Sequence, residues 1–188
     1  MTPTQSARLC VDDTLLLVID IQERLLPQIA DGKNVADAAA KLIRAAGVLG
    51  VPIVATEQYP KGIGPTVACI RDAFPAGAFR PLEKLTFSCC GSEPIVAALA
   101  ASGRTRILVV GIEAHVCVQQ TVLDLLALGY LPFVCADAIG SRRALDREVA
   151  VERMRQAGAA VTTVESAVFE LTYRAGTEAF REILKIVK

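Results

Sequence analysis

Tryptophan is absent from this chain, histidine occurs once, and aromatic residues fill only 5% of its 188 positions. Net charge is missing too, since 20 lysines and arginines balance 20 aspartates and glutamates. That balance removes the electrostatic pull that draws a protein to nucleic acid or to an anionic membrane. Long apolar runs are also lacking. The longest, at 15–19 and 107–112, fall far short of the stretch needed to cross a bilayer. The first residues, Met1-Thr2-Pro3-Thr4, show no basic region leading into an apolar one, which argues against a signal peptide. These absences predict a soluble, cytoplasmic protein with a small-molecule substrate and neither a nucleic-acid nor a membrane partner.

Six cysteines stand at 10, 69, 89, 90, 117 and 135. None forms the C-x-x-C spacing of a zinc site, and the lone His115 leaves metal ligands scarce, so no metal is expected. Nor does the chain need a disulfide framework, because 53% of its residues are apolar and 21% charged, enough to bury a full core. Most of the cysteines therefore read as small buried hydrophobes in a reducing compartment. The length suits one domain over 1–188.

Short, continuous apolar runs alternate with longer helical patterns. Strands are predicted at 14–20, 51–56, 105–112, 131–137 and 160–164, and an extended piece at 79–85. A helix over 34–49 places Val35, Ala39, Leu42, Ala46 and Leu49 on one face. Further helices are expected at 66–74, after Ser92 as cap, and over 116–128, 145–157, 166–172 and 177–187. Continuous rather than alternating strands indicate a parallel sheet covered on both faces. The fold class is α/β, a three-layer, doubly wound, Rossmann-like sheet of about six strands in the order 3-2-1-4-5-6.

In such a sheet ligands bind beyond the carboxyl ends of the strands where the order reverses. Asp20 closes the first strand and Cys117 opens the helix after the fourth, so the two border one crevice. Lys84, near the third strand, is within reach of it. A thiol in the first turn of a helix is expected to lose its proton readily, more so beside a lysine. A carboxylate beside it can shuttle the proton, and the turn's N–H groups suit an oxyanion. Taken singly, each residue has an ordinary reading: Asp20 as a turn residue, Cys117 as core, Lys84 as a solvated surface group. His115 and Cys117, two residues apart, do not share a helix face, so His115 reads as a surface or cap group. The stretch Lys61-Gly62-Ile63-Gly64 follows the wrong strand and lacks a third glycine for dinucleotide binding. No phosphate loop, nucleophile elbow or zincin helix is present, and no cofactor is implied.

Three segments, 17–22 (LVIDIQ), 84–88 (KLTFS) and 111–121 (GIEAHVCVQQT), together resemble the signature blocks of the isochorismatase-like hydrolases, in the same order and with similar separations. The likeness runs from about Thr14 to beyond Val164. It implies a catalytic triad of Asp20, Lys84 and Cys117, and a cis peptide before the nucleophile loop, at Ile112-Glu113. It also implies an oxyanion hole from the N–H groups of Glu113 and Cys117. The chain departs from the metal-dependent nicotinamidase branch, having Thr56-Glu57-Gln58-Tyr59-Pro60 where that branch carries an Asp/His cluster. It departs from isochorismatases proper in having a cysteine at the nucleophile position. The block 57–66 (EQYPKGIGPT) resembles the isochorismatase-domain-containing proteins most.

The expected activity is hydrolysis of a small amide, or an ester, through a covalent thioester. Gln22, Tyr59 and Phe87 flank the blocks and are candidate substrate contacts, as are Ser141 and Arg142 after the fifth strand. Two other readings stand beside it: a redox-sensitive binding or scaffold protein built round Cys117, and metal-free cleavage of an isochorismate-like ether by Asp20 and Lys84. The resemblance favours a homo-oligomer. Phe180, Ile183, Leu184 and Val187 of the last helix suit either a partner chain or the parent domain.

Overall fold

The computed structural model describes residues 8–188, and the N-terminal reading at Met1 to Thr4 lies outside them. The strands are β1 (Thr14–Ile19), β2 (Ile53–Gln58), β3 (Leu82–Lys84), β4 (Arg106–Ile112), β5 (Leu131–Gly140) and β6 (Ala160–Thr162). They form one sheet in the order β3-β2-β1-β4-β5-β6, every neighbouring pair parallel. The helices are α1 (Gly32–Leu49), α2 (Pro60–Ile63), α3 (Ala68–Arg71), α4 (Glu93–Ala101), α5 (Gln119–Ala127), α6 (Ala144–Gln156), α7 (Val164–Thr172) and α8 (Glu178–Val187).

Why β1 and β4 are apolar throughout is visible in their packing. Successive side chains on a strand point to opposite faces. Leu16, Val18, Leu108 and Val110 enter a core with α1, α7 and α8, whereas Leu15, Leu17, Ile107 and Val109 enter a second core with α4, α5 and α6. Both strands are buried at every position, as a sheet covered on two faces requires. Ile183 of α8 is fully buried in the first core, with Ile186 and Val187 packed against it. The last helix thus turns its apolar side to its own domain.

Several boundaries differ from the sequence reading. The strand predicted to end at Asp137 continues to Gly140 past a register shift opposite Val109 and Gly111. Asp137 is the exposed residue of that irregularity, and its carboxylate accepts the Val164 N–H at the start of α7. Val164 therefore opens a helix instead of ending a strand, with the Thr163 hydroxyl accepting from the Ser166 N–H. The third strand holds only three residues and the helix expected at 66–74 only one turn. Ser92 does precede α4, but its side chain makes no capping bond.

Gly111 governs how the two central strands meet. Its φ is +135°, and a Cβ there would lie 2.1 Å from the Ile19 carbonyl oxygen. No other residue lets β4 come this close to the end of β1. The close approach carries the segment after Ile112 against the segment after Ile19.

Candidate active site

Asp20 leaves β1 in the left-handed region (φ 52°), which aspartate tolerates better than most residues. Its N–H donates to the Thr56 carbonyl across the sheet at 3.3 Å. The side chain is completely buried, so each carboxylate oxygen needs a donor. Oδ1 accepts from the Thr56 hydroxyl at 2.7 Å, and Oδ2 accepts from Lys84 Nζ at 2.5 Å. Lys84 ends β3 with its ammonium equally buried, donating also to Gln58 Oε1 (2.8 Å) and to the carbonyls of Phe87 (3.1 Å) and Thr86 (3.3 Å). Burial is the largest single effect and works against the ammonium, but the charge of Asp20, the neighbouring Cys117 and Cys89 and the hydrogen bond to Asp20 together outweigh it and hold the Lys84 pKa above its ordinary value.

Cys117 arrives from β4. The Ile112–Glu113 peptide is cis, and Ala114–Val118 then form a π-helical turn leading into α5. The Glu113 carbonyl accepts the N–H groups of both Val116 and Val118, at 3.1 and 3.2 Å. Turns of this kind recur at functional sites, where the extra residue re-aims a side chain. The Cys117 thiol is buried and lies close enough to Asp20 and Lys84 for both to act on its protonation. All three residues singled out in the sequence thus meet round one carboxylate.

The thiol corrects the sequence expectation of an easily ionised cysteine. Burial first, and then the charge of Asp20, push the Cys117 pKa up to about 12, against the opposing pull of Lys84. The main reason is exclusion from water, which disfavours the thiolate, and the pull of Lys84 is offset by the opposite push of Asp20. At rest the site holds an ammonium, a carboxylate and a protonated thiol. Such a constellation can pass the sulfur's proton to Asp20 as a bond to sulfur forms.

The remaining candidates fall into three groups. Tyr59 and Phe87 stand about half exposed, and Tyr59 joins Lys61, Lys84, Leu85 and Pro94 in lining a groove of 560 Å³. Ser141 and Arg142 both converge on the turn that carries Cys117. The Ser141 hydroxyl is 3.0 Å from His115 Nδ1, and Arg142 donates through its backbone N–H and Nε to Glu113 Oε1, both at 3.1 Å. His115 is partly buried by this contact, not a free surface group. Gln22 differs from its expected role. It is fully buried, and its amide is spent on backbone: Nε2 donates to the carbonyls of Gln58 and Gly64, and Oε1 accepts the Gln58 N–H.

Sequence reasoning missed Thr56, Gln58 and Cys89. Thr56 and Gln58 end a strand whose residues looked like ordinary sheet, although strand-end polar residues on β2 face the same crevice as Asp20. Cys89 is a second wholly buried thiol, its pKa also pushed up to about 12, chiefly by burial, and its Sγ is 4.0 Å from the Thr56 hydroxyl. Of six cysteines, Cys89, Cys117 and Cys135 are buried, Cys90 is intermediate, and Cys10 and Cys69 are exposed. The expectation of buried thiols therefore holds for half of them.

A pH dependence of stability follows. The buried thiols of Cys89, Cys117 and Cys135 hold their protons far above the unfolded range, mainly through burial, and Lys84 holds its proton above its own. The unfolded chain releases thiol protons from about pH 8.5, so between there and about 12 the native state binds more protons. Stability is complete below that window and is lost as pH rises, by roughly 1.4 kcal/mol per pH unit for each buried thiol. Urea unfolding at pH 8, 9 and 10 should show the decline, and Cys135→Val should make it shallower.

Among the described residues no three His, Cys, Asp or Glu side chains are grouped to hold a metal ion. No helix among them is long and apolar enough to cross a membrane.

Comparison with known proteins places these features in context. Residues 14–166 match the family model of the isochorismatase domain. Isochorismatase domain-containing protein 2A of Mus musculus is 39% identical over 186 residues, covering 96% of this chain and 85% of its own. The structure of MAR1 ribonuclease from Caenorhabditis elegans superposes with a TM-score of 0.91 at 36% identity, covering 96% of this chain and 92% of that one. YcaC from Pseudomonas aeruginosa, solved with hexane-2,5-diol and covalent acrylamide, gives a TM-score of 0.89 at 27% identity, covering 97% and 92%.

Proposed function

This chain belongs to the isochorismatase family, whose members are hydrolases in type, and on that footing we propose that it cleaves a small amide or ester with Cys117 as nucleophile. The observation that carries the reading is the buried Asp20 carboxylate, which holds the Lys84 ammonium and stands near enough to the buried Cys117 thiol to act on its proton. In this scheme the sulfur attacks the substrate carbonyl carbon while its proton passes to Asp20. The oxyanion rests on the N–H groups of Glu113 and Cys117. Collapse of the tetrahedral centre expels the amine or alcohol, which takes the proton back from Asp20, and leaves a thioester on Cys117. A water then gives its proton to Asp20 and attacks the thioester, releasing the acid and restoring the thiol. Lys84 stays an ammonium throughout and keeps a negative charge on Asp20 favourable. Tyr59, Phe87, Ser141 and Arg142 would shape the mouth.

The raised thiol pKa speaks against the redox-sensor alternative, which calls for an accessible thiolate. Ether cleavage needs no sulfur and is separated by experiment. Homo-oligomerisation belongs to the same reading, supported by Leu85 and Phe87, 76% and 53% exposed beside the groove. A screen of small primary amides, ureas and esters, with an RNA oligomer included because one relative is named a ribonuclease, tests the reaction class. The expected hit releases ammonia or alcohol, and acid quenching during turnover adds the acyl mass to the peptide holding Cys117. Turnover without any adduct at Cys117, or cleavage of the RNA alone, overturns the covalent scheme.

A further inference from the structure

The hydroxyl of Thr121 joins the turn that carries Cys117 to the segment that follows β3. It is fully buried in α5, one turn after the nucleophile, and donates to the Cys117 carbonyl at 2.6 Å. The same oxygen accepts the Cys89 N–H at 2.9 Å from a segment 32 residues away in the chain. Cys89 directly follows the loop whose Thr86 and Phe87 carbonyls hold the Lys84 ammonium. That loop is braced on itself: the Thr86 hydroxyl donates to the Ser88 carbonyl, and the Cys90 N–H donates to the Ser88 hydroxyl. One hydroxyl therefore fixes the turn carrying the sulfur to the loop gripping the lysine.

We infer that Thr121 is a positioning residue, which acts through Cys117 by keeping its thiol against Asp20. This rests on the proposed role of Asp20 as proton acceptor. A buried hydroxyl that serves as donor and acceptor together cannot be replaced by a methyl group without leaving the Cys89 N–H unpaired.

Acrylamide addition to each cysteine, followed by peptide mass spectrometry between pH 6.5 and 8.5, reads the position of the thiol. Where Asp20 takes the proton, the reacting pair keeps one protonation state and the Cys117 rate is flat with pH. Where free thiolate must form first, the rate climbs about tenfold per unit. The wild type should be flat, and Thr121→Val should fall about tenfold at pH 7 and acquire the climbing profile. Thr121→Ser should stay within threefold of wild type and remain flat. Thr172→Val, which removes a similar i−4 hydroxyl bond on α7, should change nothing at Cys117. Should Thr121→Val not fold, Cys89→Pro removes the N–H from the other end, at a site whose preceding residue already has extended backbone. A flat, fast Thr121→Val overturns the inference alone, whereas a climbing wild-type profile overturns the Asp20 reading beneath it. Loss of cooperative folding in both variants assigns the hydroxyl to stability and overturns it as well.

Discussion

Cys117→Ala is expected to lower kcat/KM on an amide substrate by at least about 10³-fold, with the protein still folded. The two halves of that expectation have separate physical grounds. Without sulfur no thioester forms, and what survives is binding plus whatever the oxyanion donors give to direct attack by water. Asp20, however, keeps the Thr56 hydroxyl and the Lys84 ammonium as donors. The substitution removes one heavy atom from a core that includes Ala114, Val118 and Val122, which places the stability loss near or below about 1 kcal/mol. Measurement of kcat and KM alongside thermal unfolding distinguishes the two. Cys117→Ser should be almost as inactive, because an alcohol gives up its proton to a carboxylate far less readily than a thiol does. Near-normal turnover by either variant would return the reaction to Asp20 and Lys84 acting alone, as ether cleavage requires.

The raised thiol pKa gives this result a further edge. With its pKa pushed up to about 12, mainly by burial, Cys117 is held as a protonated thiol near neutral pH, so catalysis by a standing thiolate starts from a small population. In the proposed mechanism, proton transfer to Asp20 during attack would avoid that penalty, because the charge on the carboxylate would move to sulfur and then to the substrate oxygen without a separate ionisation. The contrast with the sequence expectation lies first in burial, which the sequence does not display, and then in Asp20, whose charge opposes the pull of Lys84 on the thiol.

Much of the architecture was legible because it rests on local patterns. The uninterrupted apolar runs of β1 and β4 announce burial on both faces, and Gly50, in the left-handed region, ends α1 as its position suggests. The meeting of Asp20 with Cys117 follows from strand order alone, since both lie beyond the carboxyl ends of adjacent parallel strands. Other features depend on contacts made only after folding. Asp137 looks like a strand stop until it is seen accepting from the start of α7, 27 residues on. Gln22 looks like a pocket residue until both ends of its amide are found on the backbone of Gln58 and Gly64. The π turn leaves no sequence mark that separates it from the first turn of a helix. Thr56 and Cys89 are polar by composition but structural by location, and their place beside Asp20 emerges only once β2 and the segment after β3 are stacked on β1.

Lys84→Met is expected to be the most destabilising change at the site. The ammonium and the carboxylate are both fully excluded from solvent, so removing the lysine leaves a buried negative charge without its partner, a loss of about 3–5 kcal/mol in comparable pairs. Methionine has similar length but no donors. It also abandons Gln58 Oε1 and the Phe87 carbonyl, each of which loses a hydrogen bond inside the protein. Against a typical stability of about 5–15 kcal/mol, the variant should unfold at far lower urea than wild type or fail to accumulate as folded protein. Adding Asp20→Asn removes the orphaned charge and should recover a large part of the loss, though none of the activity. A double-mutant cycle from urea unfolding measures the coupling, with the pair predicted to interact by more than about 2 kcal/mol. Strict additivity of the two substitutions would mean that Asp20 and Lys84 do not stabilise one another, and the proposed proton acceptor would lose the charge that keeps it ready.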